Sequence, residues 1–146
     1  MIVRHCAGGV VFYANKVLLV KNDRGEWTLP KGKIYKDELT YFSAVSRVKD
    51  ETGVDASILE TAGNTMYQFF SRSRQQEVCN AITWYIMQTD NNKYILNDEF
   101  TDGGFYKVKE AIDMLTHSQE KALVDISYKK YKELRRNNIE DGLATN

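Results

Sequence analysis

Arg47, Asp50 and Glu51 stand at i, i+3 and i+4, so on a helix their side chains converge on one face as a guanidinium beside two carboxylates. Two readings of Arg47 follow from its chemistry. It forms an exposed helix salt bridge with Asp50 or Glu51, worth a few tenths of a kcal/mol, or its planar fork contacts a phosphate. Upstream, Lys31 and Lys33 flank Gly32 just before the same stretch, where a phosphate could meet both ammonium groups and helix-start amides. Taken singly, the lysines read as solubility residues and the acids as a solvated helix face. Arg4, Arg72 and Arg74 are weaker candidates for phosphate contact. Tyr67, Phe69, Phe70 and Trp84 lie on predicted strands, where core packing is the first expectation and base stacking the second. His5 and His117 have no partnering pattern and read as incidental.

The elements that position these residues follow from periodicity. Tyr41, Ala44, Val45, Val48 and Thr52 recur with helical spacing and predict a helix from Glu38, stopped by Gly53. Residues 2–13 and a strand beginning at 17–20 predict a hairpin through the turn at 14–16. Within it Gly8 and Gly9 mark a bulge, a close backbone approach or plain irregularity. A turn at 22–25 leads to a short segment at 27–29. Residues 57–70 and 76–89 predict two long strands joined by the polar loop 71–75, and a short strand follows at 104–108. A helical turn or two over 109–115 precedes an amphipathic helix at 118–136, whose stripe is Val124, Tyr128, Tyr131 and Leu134, with Leu123 and Ile126 on either side. The tail, 137–146, is expected to fray.

With 146 residues, 42% hydrophobic and 12% aromatic, the chain reads as a single domain, 1–146, that can bury a core without staples. The 20 basic and 20 acidic residues balance, which argues against a nonspecific nucleic-acid binder. A single-stranded RNA module built on the strand aromatics and the Arg72/Arg74 loop is a lesser alternative. Cys6 and Cys79 lack metal-site spacing and read as buried free thiols. No apolar run is long enough to span a bilayer, so a cytoplasmic protein with no membrane partner is expected.

The stretch from Gly32 to Val54 resembles the signature of the Nudix hydrolases, G-x5-E-x7-R-E-U-x-E-E-x-G-U, with U aliphatic. Without gaps, Gly32, Glu38, Val48, Glu51, Gly53 and Val54 match; Asp50 is a shortened glutamate, Ser46 stands where the family has arginine, and Arg47 where it has its central glutamate. The likeness continues outside this box. Residues 7–11 resemble the family's first strand, and 27–33 are similar to the diadenosine- and diphosphoinositol-polyphosphate branch. Residues 99–105 resemble that branch's E-H-x-E-x-x-W stretch, with Asp102 at the late acidic position and Phe105 for the tryptophan.

The resemblance implies an α/β fold, a Nudix-type α/β/α sandwich with a mixed β-sheet, and hydrolysis of a pyrophosphate bond in a nucleoside-diphosphate-linked or polyphosphate substrate. It implies Mg²⁺ or Mn²⁺ held by Glu51, Asp50, Asp102 and Glu38, with Glu51, Asp50 and Arg47 at the reaction centre and Lys31, Gly32 and Lys33 on the substrate phosphates. A metal there withdraws charge from the pyrophosphate and helps generate hydroxide. Each unit-charge contact at 4 Å is worth about 4 kcal/mol before solvation offsets, at an effective dielectric near 20, so exchanging a carboxylate for a guanidinium weakens metal binding severely. Reduced activity is therefore expected, and the alternative is a catalytically lapsed nucleotide-binding or protein-interaction module.

Overall fold

The computed structural model describes residues 1–144, with side chains through residue 138. In chain order the elements are β1 (Ile2–Tyr13), β2 (Lys16–Lys21), β3 (Trp27–Thr28), β4 (Lys31–Lys33), α1 (Thr40–Thr52), β5 (Ser57–Ser71), β6 (Gln76–Gln88), β7 (Asp102–Lys107), α2 (Val108–Met114) and α3 (Ser118–Ala144). The strands form one mixed sheet in the order β3-β2-β1-β6-β5, with β4 added on β1 and β7 on β2. β1 is its spine: it runs parallel to β6 along nearly its whole length, Ile2 opposite Val78 to Phe12 opposite Gln88. Its other edge is shared, because Cys6–Gly8 pair with β4 and Phe12–Tyr13 pair with β2, both antiparallel.

Where that edge changes partners, the chain passes very close. The Gly9 N–H donates to the Pro30 carbonyl at 3.1 Å. A Cβ on Gly8 would lie 2.5 Å from the same oxygen and 2.7 Å from the Trp84 ring. Of the readings open for these glycines, close backbone approach is the one realised.

Side-chain alternation along β1 sorts residues onto two faces. Val10 and Phe12 join Trp84, Leu115, Val124 and Tyr131 beneath α2 and α3. Ala7 and Val11 join Leu18, Ala44, Val48 and Met87 beneath α1. Helices thus cover both faces of a mixed sheet, the α/β/α sandwich expected. Phe12 stacks on Tyr131 at 4.6 Å, and the buried Trp84 satisfies its Nε1–H on Thr65 Oγ1 at 2.8 Å.

The differences from expectation lie mostly around α1. The helix starts at Thr40, two residues late, and Gly53 closes it with φ 70° as expected. Its buried face is Ser43, Ala44, Arg47, Val48 and Thr52, whereas Tyr41 is exposed. The apolar pattern misplaces the face because Arg47 counts as polar there, and β4 lies against that side of the helix. Lys31–Lys33 form a strand, so no helix-start amide is beside them. At the C-terminus α3 runs on to Ala144, and Ile126 is exposed. Residues 145–146 of the tail expected to fray lie outside the described residues. Tyr67 and Phe70 are exposed, against the expectation of core packing that Trp84 fulfils.

Gly8→Ala is expected to lose about 1–3 kcal/mol or more of folding free energy, since the added carbon meets backbone that cannot rotate away. Urea unfolding of the variant checks this, and an unchanged midpoint would contradict the close approach.

Candidate active site

Gly32 and Arg47 fit together across the α1–β4 contact. A Cβ on Gly32 would fall 2.7 Å from Arg47 Cγ and 2.8 Å from Cδ, so the glycine makes room for the arginine stem. Arg47 as a whole is only 8% exposed. Its Nη1 donates to the Lys33 carbonyl at 3.3 Å, and both terminal nitrogens reach the Glu38 carboxylate at 3.5 Å. Nε lies 3.2 Å from Asp50 Oδ2, at an angle that leaves it without a true hydrogen bond. The Tyr35 ring stacks on the group, centroid 4.4 Å away. The helix salt bridge expected for Arg47 is present to Asp50, but the arginine is buried. Glu38 is anchored as well by the Tyr35 N–H at 2.9 Å and Ser43 Oγ at 3.0 Å; chiefly the first of these holds its carboxyl below the usual range.

Glu51, one turn further on, turns toward the sheet. Its Oε1 accepts the Lys31 N–H at 3.0 Å, linking the last turn of α1 to β4. Burial pushes its carboxyl up to about 7, the Lys31 amide and ammonium pull it down, and the charges of Glu99 and Asp50 raise it further. The segment before β7 lies across this helix end: Ile95 N–H donates to the Thr52 carbonyl and Asn97 N–H to the Glu51 carbonyl, both at 2.8 Å. Asn97 Oδ1 then accepts the Glu99 N–H at 3.2 Å, a local turn that brings Glu99 near enough for its charge to act on Glu51. Glu99 had no expected role, although it is the first acid of the stretch 99–105 that carried the resemblance.

On the opposite face of the sheet from α1 is a cavity of about 300 Å³, lined among others by Glu26, Thr28, Lys31, Tyr67, His117 and Glu120. Lys31 therefore belongs to both places, its amide on Glu51 and its side chain at the cavity. Glu120 is 6% exposed, and its Oε1 accepts the Leu29 N–H at 2.7 Å. Burial raises its carboxyl above the usual range, with the Lys31 charge opposing. His117 Nε2 lies 3.5 Å from Glu26 Oε2, and its ring is 5.1 Å from Tyr67. His117, read as incidental, is part of this wall. Sequence reasoning missed Glu120 and His117 because more than 60 residues separate them from the box, and Glu26 because no local spacing ties it to them.

The expected site residues are thus divided. Glu38, Arg47 and Asp50 form one ionic cluster; Glu51, Lys31 and Glu99 form a second group beside it. Gly32 lies under Arg47, and Lys33 is exposed apart from its carbonyl bond to Arg47. Asp102 is exposed at the start of β7, where Oδ1 accepts the N–H of Gly103 at 2.7 Å. Arg72 and Arg74 are at the exposed tip of the β5–β6 hairpin, and Arg4 donates to Asn80 Oδ1. Among the described residues, no three of His, Cys, Asp and Glu converge as a metal cage. Glu51 and Glu99 still offer hard oxygen donors, and Mg²⁺ is commonly held by one or two carboxylates together with its waters and substrate phosphates. The donors present fit an ion that arrives with a polyphosphate, and do not fit a four-carboxylate cage.

Comparison with known proteins bears on what this arrangement serves. A family profile described as NUDIX domain matches residues 3–126. A protein of Mycobacterium tuberculosis (strain CDC 1551 / Oshkosh), provisionally named mutator protein MutT4, is 26% identical over 102 residues, 69% of this chain. That match covers only 40% of the relative's length. In three dimensions the chain resembles the C. elegans Ap4A hydrolase in its binary complex, with a TM-score of 0.71, 16% identity, and coverage of 89% of this chain and 98% of that one. It also resembles the E. coli dihydroneopterin triphosphate pyrophosphohydrolase, with a TM-score of 0.69, 12% identity, and coverage of 86% and 96%.

Glu51 makes stability depend on pH with a definite sign. Its folded value, about 7, is above the 4.5 of the free carboxyl, so between them the folded chain holds a proton that the unfolded chain has lost. Its contribution is complete below about 4.5 and gone above about 7, a difference of up to about 3 kcal/mol. Glu51→Gln keeps the acceptor for Lys31 and removes the titration. In chelator, the variant is expected to be more stable than the natural protein at pH 8 and to lose that advantage toward pH 4.5. Denaturant unfolding at the two pH values measures it; equal stability at pH 8 would remove the buried charge from the account.

Proposed function

The chain belongs to the NUDIX family, and from that premise we propose that it hydrolyses a pyrophosphate bond in a small nucleoside-diphosphate derivative or related polyphosphate, at a reduced rate. The observation that carries this reading is the position of Lys31. Its backbone is bonded to the half-buried Glu51, and its side chain lines a cavity of about 300 Å³, large enough for a nucleoside. A substrate spanning the two would place its nucleoside against Tyr67, His117 and Glu120 and its phosphates at Lys31. The exposed Tyr67 offers a ring face for a base, and Glu120 a buried carboxyl for its polar edge. Lys31 neutralises phosphate charge, and Lys33 could follow it on the same side of β4.

Glu51, with Glu99 beside it, would hold Mg²⁺ or Mn²⁺, which when bound withdraws charge from the bridging phosphates and lowers the pKa of water. The chain itself contributes two things here. Asn97 accepts the backbone N–H of Glu99, and the Lys31 amide fixes the rotamer of Glu51. We place the protein in the cytoplasm, on the support of two free cysteines, Cys6 and Cys79. Among the described residues, no helix is long and apolar enough to cross a membrane.

A second reading, a nucleotide-binding module without turnover, is favoured by Arg47, whose guanidinium stands in the box position where a carboxylate is expected. Phosphate release from dinucleoside polyphosphates, nucleotide sugars and ADP-ribose, with Mg²⁺ and with Mn²⁺, separates the two. Turnover by the natural protein is expected, with Glu51→Gln lowering kcat by about 10²-fold and Lys31→Ala acting mainly on KM. Silence in the natural protein with activity gained by Arg47→Glu would identify a lapsed hydrolase. Failure of both to turn over or bind metal would end the hydrolase reading.

A further inference from the structure

The Arg47 guanidinium sits in a setting that resembles a cation site. Four oxygens surround it within 3.5 Å: Oε1 and Oε2 of Glu38, Oδ2 of Asp50 and the carbonyl of Lys33. Carboxylates and carbonyls are the donors that a hard divalent ion takes. Here the positive charge is supplied by a side chain buried against β4, with its stem over Gly32 and its face under Tyr35. The helix spacing puts Glu51, at i+4 from Arg47, on the same side of α1, but Glu51 bonds Lys31 instead of the guanidinium.

The geometry points to Arg47 as a resident cation that takes the place of a second divalent ion. It pairs with Glu38 and Asp50 and leaves Glu51, with Glu99, as the acids beside it, among the described residues, that take metal. The protein then works with one exchangeable ion. This inference rests on Glu51 as the ion-holding acid of the proposed function, and it assigns Arg47 a positioning role, with no contact to the reacting atoms.

The test is an ion count. Mn²⁺ is titrated into the full chain, alone and with a methylene-bridged nucleoside triphosphate, and free ion is followed by electron paramagnetic resonance. The natural protein and Arg47→Lys are expected to bind one ion. Arg47→Met and Arg47→Glu, which remove the charge, are expected to bind a second ion and to gain thermal stability from Mn²⁺ beyond that of the natural protein. Met keeps much of the stem over Gly32 and so guards against loss of the fold in the Glu variant. In the natural background Glu38→Gln should shift Mn²⁺ affinity less than twofold, whereas Glu51→Gln should weaken it by at least about tenfold.

Two ions or none in the natural protein would overturn the inference. So would a folded Arg47→Met that gains no ion, or a Glu38→Gln effect equal to that of Glu51→Gln. One ion, with a second gained in the variants, would uphold it even if no substrate were hydrolysed; in that case the proposed function alone would fall.

Discussion

The packing of one arginine stem on one glycine governs how α1 lies on the sheet. Any side chain at position 32 would collide with Arg47, and the guanidinium could not then reach the Lys33 carbonyl and Glu38 together. Burying a guanidinium is costly, and replacing buried ion pairs by apolar residues is often neutral or stabilising. Its effect is therefore better sought in placement than in stability. With Arg47 fixed, the turn of the helix about its axis is fixed, and Glu51, one turn on, is directed at the Lys31 amide.

A second constraint acts from the sheet side. β1 exchanges β4 for β2 along one edge, and the Pro30 carbonyl takes the Gly9 N–H at the changeover. Proline suits this point because it has no N–H to leave unsatisfied and its φ is already restricted. Lys31 follows immediately, so its amide is presented to α1 and its side chain to the cavity by strand alternation. The cavity face and the Glu51 face are thereby joined through a single residue, and neither could shift without the other.

Much of this was legible in the sequence. The order of elements, the two long strands, the Gly53 stop and the box spacing are local signals, and each is present near its expected bounds. Gly32 and Glu51 were marked as important, and the structure adds a contact for each: the glycine receives a side chain, and the acid bonds a strand amide. What was not legible depends on contacts remote in sequence. Lys31–Lys33 looked like the entry to a helix because the pairing that makes them a strand lies with Cys6–Gly8. Arg47 looked exposed because charge marks a surface face, and nothing local announces a glycine and a tyrosine prepared to cover it. Glu120 and His117 join Lys31 only when α3 crosses the sheet.

The overall balance of 20 basic and 20 acidic residues conceals a separation of charge along one helix. At one end Arg47 is enclosed by Glu38 and Asp50 and offsets half of their negative charge. At the other, Glu51 is half-buried, with the Lys31 amide and ammonium stabilising its anion and with Glu99 and Asp50 opposing them. Moving a proton onto Glu51 relieves that imbalance, and so does binding a cation, which makes the second group responsive to ions where the first is already satisfied. Exchanging a carboxylate for an arginine in this box therefore does more than subtract a ligand. It divides one acidic face into an ion-paired anchor and a receptive acid, and under the proposed function a polyphosphate that brings its own metal would need the latter.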